Sequence, residues 1–193
     1  MRLELRHATP EDEWVTLVES RLVPFLQDHA ANERRVSNAA LTLAVQHPDR
    51  AELVDAMVET SLEELTHFRL VYRLLKERGA TLSREAPDPY MKRLRRETSH
   101  RDREVWLLHR LVLFAIVEAR GFERFSMLAD GLSDPSLREV YGGLARAEAR
   151  HKGLYLRLAR ASFDESDVAR CLDRFLDLEA DVIGSLPLRA ALH

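Results

Sequence analysis

Two Glu-x-x-His steps, Glu64 to His67 and Glu148 to His151, constrain this chain most, because each interrupts an apolar helical stripe. At the alternating four- and three-residue spacing of an amphipathic helix, the first stripe reads Leu53, Met57, Thr60, Glu64, His67, Val71. The second reads Leu137, Tyr141, Leu144, Glu148, His151, Tyr155, Leu158. A third stripe, Leu107, Leu111, Phe114, Glu118, Phe122, Phe125, carries one glutamate, and a thinner fourth places Glu33 among Leu26, Ala30, Ser37 and Ala40. Burying four carboxylates together costs on the order of several kcal/mol each, or forces them to protonate, unless a positive charge compensates them. Two divalent cations would do so, which makes Glu33, Glu64, His67, Glu118, Glu148 and His151 candidate metal ligands.

Spacing separates these residues from chance. Glu-x-x-His also occurs at Glu4 to His7 and at Glu97 to His100, but neither copy has a glutamate thirty residues upstream, as the other two do in Glu33 and Glu118. The midpoint between Glu33 and Glu64 falls at His47-Pro48-Asp49, and that between Glu118 and Glu148 at Ser133-Asp134-Pro135. Each half therefore reads as a helical hairpin. At a rise of roughly 1.5 Å per residue the chain climbs about 20 Å to the turn and descends as far, so both motifs return to one level.

The remaining signals set the helix boundaries. A helix is expected from Glu11 towards Gln46, bent around Pro24, and a second from Asp49 to Arg78, stopped by Gly79. Residues 79 to 89, with Pro87 and Pro89, form a connection, followed by a helical piece from Tyr90. The third main helix should run from Asp102 to Asp130 and end at Gly131; the fourth from Pro135, capped by Asp134, to Ala161; a fifth from Asp164 to Leu186. On the fifth, Asp173, Asp177 and Asp181 fall on the solvent side and are not expected to be ligands. The hairpins form a weak internal repeat, Glu33 to Glu118 spanning 85 positions and Glu64 to Glu148 spanning 84. The long stretch from His67 to Glu118 suits a crossover, so the expected fold is all-α: a ferritin-like four-helix bundle with a long crossover between two helical hairpins and an extra C-terminal helix. A simple up-down-up-down bundle needs no such segment.

With 193 residues the chain fits a single domain, 1–193. No stretch approaches the ~20 apolar residues of a membrane span, and Met1-Arg2-Leu3-Glu4 lacks a signal-peptide run, so a cytoplasmic protein without a membrane partner is expected. The lone Cys171 excludes an intramolecular disulfide and a Cys-x-x-Cys metal centre, and reads as core. Net charge is only −3, yet Lys92, Arg93, Arg95, Arg96, Arg101 and Arg103 stand against two acids, Glu97 and Asp102, with Arg78, Arg84 and Arg110 flanking. Such a run is either a solvated helix face or a surface for phosphates.

Carboxylate with imidazole suits iron or manganese better than zinc. Glu33 and Glu118 would be terminal or semi-bridging ligands, Glu64 and Glu148 bridges, and His67 and His151 one nitrogen donor per metal. His29 and Asp28, near Glu33, are candidates to orient a ligand, and Tyr155 to line the cavity.

Four segments carry a family resemblance: Asp28-His29-Ala30 before Glu33; Glu64-Leu65-Thr66-His67-Phe68; Val117-Glu118-Ala119-Arg120 running into Glu123-Arg124-Phe125; and Glu148-Ala149-Arg150-His151. Over residues 20 to 160 the chain resembles the tRNA 2-methylthio-isopentenyladenosine hydroxylases, di-iron monooxygenases that hydroxylate the isopentenyl side chain of a hypermodified adenosine next to the anticodon. The resemblance implies two iron ions (with manganese possible), dioxygen as co-substrate, an external electron-donor reductase and a tRNA partner, and it makes the basic stretch at 92 to 103 a candidate for tRNA phosphates. Glu123 is five positions from Glu118, about 140° around the helix, and is expected to pair with Arg120 or Arg124 instead of a metal. Gly121-Phe122 departs from the small residues expected there, predicting a narrower pocket beside Glu118. The competing readings are another ferritin-like redox enzyme (ferroxidase, peroxidase or manganese catalase) and a metal-free helical interaction module. A rubredoxin-fused rubrerythrin is excluded by the single cysteine.

Overall fold

A computed structural model describes residues 3–84 and 88–193; the expected connection residue Pro87 lies outside them. Among the described residues there are seven helices and no strand: α1 (Glu11–Ser20), α2 (Leu22–Gln46), α3 (Ala51–Glu77), α4 (Pro89–Glu97), α5 (Arg103–Gly131), α6 (Pro135–Ser162) and α7 (Glu165–Gly184). They fall into two compact units, one of Leu17–Ala86 with Ala190–Leu192, the other of Met1–Thr16, Pro87–Arg189 and His193.

The first unit is a helical hairpin in which α2 packs along α3. Its turn sits where the midpoint placed it, with Arg50 N–H donating to the His47 carbonyl at 3.1 Å. Every residue of the two predicted stripes is buried here, including Glu33, Glu64 and His67. Ser37, an odd member of an apolar stripe, is explained by bonds to the Ser61 carbonyl at 3.0 Å and the Ser61 hydroxyl at 2.8 Å. Gly79 takes φ +65°, and the N–H groups of Gly79 and Ala80 return to the carbonyls of Lys76 and Leu75, a Schellman ending that glycine makes cheap. One boundary differs from expectation. The helix breaks at Arg21 (φ −134°, ψ 41°), three residues before Pro24, instead of bending through the proline. A proline ring clashes with the carbonyl four residues upstream, so the interruption falls between Ser20 and Leu22.

In the second unit α5 packs along α6, and α7 packs against α4 and α5. Three aspartates begin these helices as caps. Asp102 accepts from the N–H groups of Glu104 and Val105, Asp134 from Ser136 and Leu137, and Asp88 from Met91. α5 ends at Gly131 as expected, the glycine being its last residue and Leu132 the cap. The glycine serves packing: a Cβ there would stand 3.2 Å from Val15 Cγ1. Along α7 the apolar face, with Val168, Cys171, Leu172, Phe175 and Leu176, is buried, while Asp173, Asp177 and Asp181 face solvent as expected. Burial of each large side chain on such a face contributes about 1.5–3 kcal/mol. Among the described residues no helix is long and apolar enough to cross a membrane.

Candidate metal centre

Each unit gathers one triad from facing helices. In the first, Glu33 comes from α2 and Glu64 and His67 from α3; one donor atom from each lies within 4.8 Å of the others. In the second, Glu118 comes from α5 and Glu148 and His151 from α6, with donor atoms inside the same limit. The six residues are 1% to 9% exposed. In both triads the Glu and His of a Glu-x-x-His step lie on one face of a helix because three residues make nearly a full turn. The measured separations are 3.2 Å for His67 Nδ1 to Glu64 Oε2 and 3.5 Å for His151 Nδ1 to Glu148 Oε2. The chance copies at Glu4 and Glu97 take no part in either triad.

The first triad has an additional imidazole. His29, fully buried one turn before Glu33, lies 2.6 Å through Nε2 from Glu33 Oε1 and tilts against the Phe25 ring. Burial pushes the Glu33 carboxyl up, but the hydrogen bonds from His29 and His67 outweigh it and hold Glu33 well below the usual carboxylate range. For His67 burial acts downward, and its bonds to Glu33 and Glu64 overcome this, pushing the imidazole up to about 10. Two buried carboxylates thus draw a positive charge towards them, the electrostatic condition for holding a cation. Asp28 plays another part from the one expected: it accepts from Asn32 and, at 2.8 Å, from the backbone N–H of Leu192.

In the second triad the notable neighbour is Gly121. A Cβ at this position would meet Glu148 Cγ at 3.5 Å, an ordinary contact, so the glycine leaves one side of that carboxylate clear. Phe122 is only half-buried and lies under Lys152, whose Nζ is 4.4 Å from the ring centre. Tyr155 is fully buried, its ring 5.3 Å from that of Phe114.

The donor chemistry passes the test for a metal. Each triad supplies two carboxylates and one imidazole, without thiolate or an arginine among its members, and three donors leave coordination positions open.

A second buried charge cluster escaped the sequence reading. Arg120 of α5 is fully buried and donates through Nε and Nη2 to the two oxygens of Glu179 on α7, at 2.9 and 3.0 Å. Its Nη1 pairs with Glu123, as one of the two expected alternatives had it, and Nη2 also donates to the His7 carbonyl at 2.9 Å. Tyr90 of α4 donates to Glu179 at 3.1 Å. The available signal was the one that revealed the triads: Glu179 sits on the apolar stripe Leu172, Phe175, Leu176, Val182, Ile183.

Of the basic stretch, Lys92, Arg95, Arg96, Arg101 and Arg103 are exposed, while Tyr90, Met91 and Leu94 form the buried face of α4. Arg93 is half-buried and donates to Ser185 Oγ, and Arg96 pairs with Glu97 at 2.7 Å.

Residues 2–193 match the family described as tRNA-(MS[2]IO[6]A)-hydroxylase (MiaE). The chain belongs to this family. A Pseudomonas putida protein named tRNA 2-(methylsulfanyl)-N(6)-isopentenyladenosine(37) hydroxylase is 35% identical over 182 residues, covering 94% of this chain and 88% of that protein. A Salmonella typhimurium protein of the same name is 31% identical over 156 residues, 81% of this chain; the matched region is 56% of that protein's length. Among solved structures, Protein 43 with aldehyde deformylating oxygenase activity from Synechococcus superposes with a TM-score of 0.93 at 28% identity, covering 100% of this chain and 96% of that one. The expected fold class, all-α and ferritin-like with a crossover and an extra C-terminal helix, is thereby shown.

Proposed function

We propose that this chain is a dioxygen-dependent di-iron monooxygenase that hydroxylates the isopentenyl group of 2-methylthio-isopentenyladenosine in tRNA. The observation that carries the reading is the family match over residues 2–193, and the buried carboxylate and imidazole triads supply the chemistry it needs. Both curated relatives bear the hydroxylase name, which favours this reading over a ferroxidase, peroxidase or manganese catalase on the same scaffold.

In this reading residues 1–193 form one di-metal domain. Glu33, Glu64, His67, Glu118, Glu148 and His151 would hold two irons. Iron bound there supplies the activation of dioxygen, with electrons from an external reductase. The protein acts in the cytoplasm, where its tRNA partner resides, and Lys92, Arg93, Arg95, Arg96, Arg101 and Arg103 meet tRNA phosphates. His29 fixes the orientation of the Glu33 carboxylate through their 2.6 Å contact. Gly121 keeps space beside Glu148, and the apolar residues around both triads exclude bulk water from the reacting side chain.

The decisive experiment is nucleoside analysis of host tRNA with and without the gene. Loss of the hydroxylated isopentenyladenosine on deletion, restored by the wild-type chain, is expected; an unchanged nucleoside profile defeats the proposal. Metal analysis after iron-supplemented expression should find about two irons per chain. Arg95→Glu with Arg96→Glu should abolish tRNA binding at physiological salt while leaving the metal content intact, since phosphate contacts dominate such affinity.

A further inference from the structure

The second unit contains a small cavity away from its metal triad, between the N-terminal segment, α5 and the residues that follow α7. Its volume is about 160 Å³. Nitrogen-bearing side chains enter its wall from His7, Arg124, Arg189 and His193, Arg189 already donating to the main-chain oxygen of His193 at 2.9 Å, and no Asp or Glu side chain lines it. The lining also has an apolar part, made by Ile183, Leu186, Pro187 and the more exposed Leu188.

Arg124 is the decisive residue. It is 3% exposed, and its Nε and Nη1 are buried without a hydrogen-bond partner. Its guanidinium lies flat enough on Trp14 to stand 4.3 Å from the indole ring, a favourable contact that satisfies none of its N–H groups. The nearby carboxylates are already engaged: Glu179 by Arg120 and Tyr90, and Glu123 by Arg120 and Thr9. Burial first, and then repulsion from Arg120, lower the Arg124 guanidinium to about 10, and attraction from Glu123 and Glu179, which hydrogen-bond to other groups, does not make up the difference. A buried cation left in this state is costly, and an anion entering the cavity would relieve it.

We propose that this cavity binds a small organic carboxylate, its anionic head against Arg124 and His7 and its short apolar body against Ile183, Leu186 and Leu188. Size and lining select this class. A cavity of about 150 Å³ accommodates benzene, so a body no larger than a phenyl ring fits. Phosphate is a poorer match, because the apolar wall would leave several of its oxygens without donors. The site is independent of the proposed metal chemistry, since none of its lining residues belongs to a triad.

The test is calorimetric titration of the full-length, metal-loaded protein with benzoate and with benzyl alcohol, which has nearly the same body and no charge. Saturable binding of one benzoate per chain is expected, with benzyl alcohol at least about tenfold weaker. Arg124→Gln should weaken benzoate by a similar factor, and Leu188→Trp, a filling change at an apolar lining residue, should also exclude it while leaving Arg124 in place. If Arg124→Gln does not fold, the two ligands on the wild-type chain and the Leu188→Trp variant decide the matter. Absence of benzoate binding at millimolar concentration, equal binding of the alcohol, or affinity undiminished in the folded variants overturns the proposal. Inorganic phosphate displacing benzoate with higher affinity overturns the carboxylate assignment.

Discussion

Arg120 and Glu179 are buried as completely as Glu33 and Glu64, yet the two places handle charge differently. Around Glu179 the protein supplies its own cation: a guanidinium meets both carboxylate oxygens, and a tyrosine adds a third bond. Around Glu33 and Glu64 it supplies imidazoles, which can give up a proton and present a lone pair to a metal. The Glu179 cluster is saturated by planar, permanently charged arginine and cannot exchange its counter-ion. A buried carboxylate is therefore a ligand candidate when its neighbours are other carboxylates and histidine, and structural when an arginine grips it. The same rule separates Glu118 and Glu148 from Glu123, although all three lie in the segments that carry the family resemblance.

The sharpest way to break this contrast is to remove one member from each side. Glu148→Ala or His151→Ala should reduce tRNA hydroxylation to background and lower bound metal, with the helical fold retained, as read by metal analysis and circular dichroism. If turnover survives both changes, the ligand set is wrong. Glu179→Ala should do the reverse. It removes the two-oxygen partner of a fully buried arginine, leaving it Glu123 and the His7 carbonyl, and should cost about 3 kcal/mol of stability by chemical denaturation, with the metal content of the folded fraction unchanged. Replacing both partners, Arg120→Met with Glu179→Leu, should recover most of that loss. A double variant as unstable as the single one would mean that this cluster contributes more than charge balance.

Much of this organisation was legible in the chain. The stripes, the hairpin turns at 47–50 and 132–134, and the aspartate caps all follow from local spacing, and helix geometry alone brings Glu64 to His67 and Glu148 to His151. The break at Arg21 and the packing role of Gly131 were less legible, because a proline at position 24 can either bend a helix or end it a turn earlier, and the glycine's role depends on a valine seated against it. The partnership of Arg120 with Glu179 spans 59 positions, and no short-range pattern could announce it. An acidic residue on the apolar stripe of α7 was nevertheless a visible anomaly of the kind that marked the triads.

His29 probes the metal side more finely. His29→Phe keeps a ring beside Phe25 but removes the nitrogen 2.6 Å from Glu33. Metal affinity should fall by about 10- to 100-fold, the usual effect of losing a partner that orients a ligand, while stability without metal changes little beyond the lost bond. Competitive titration against a chelator measures it. An unchanged affinity would show that Glu33 is oriented by α2 alone.

Tyr90→Phe is the smallest change and tests how far the arginine cluster is saturated. The phenol donates to Glu179 Oε1 at 3.1 Å, and burial raises its own ionisation well above the ordinary range, so it remains a neutral donor at any working pH. Removing the hydroxyl leaves Glu179 with both bonds from Arg120 and leaves no buried donor behind, because phenylalanine has none. The cost should therefore be about 1 kcal/mol, well below that of Glu179→Ala, and should appear as a shifted denaturation midpoint with an unchanged slope. A loss approaching that of Glu179→Ala would mean that the arginine does not hold the carboxylate unaided, and the line drawn between the two kinds of buried charge would have to move.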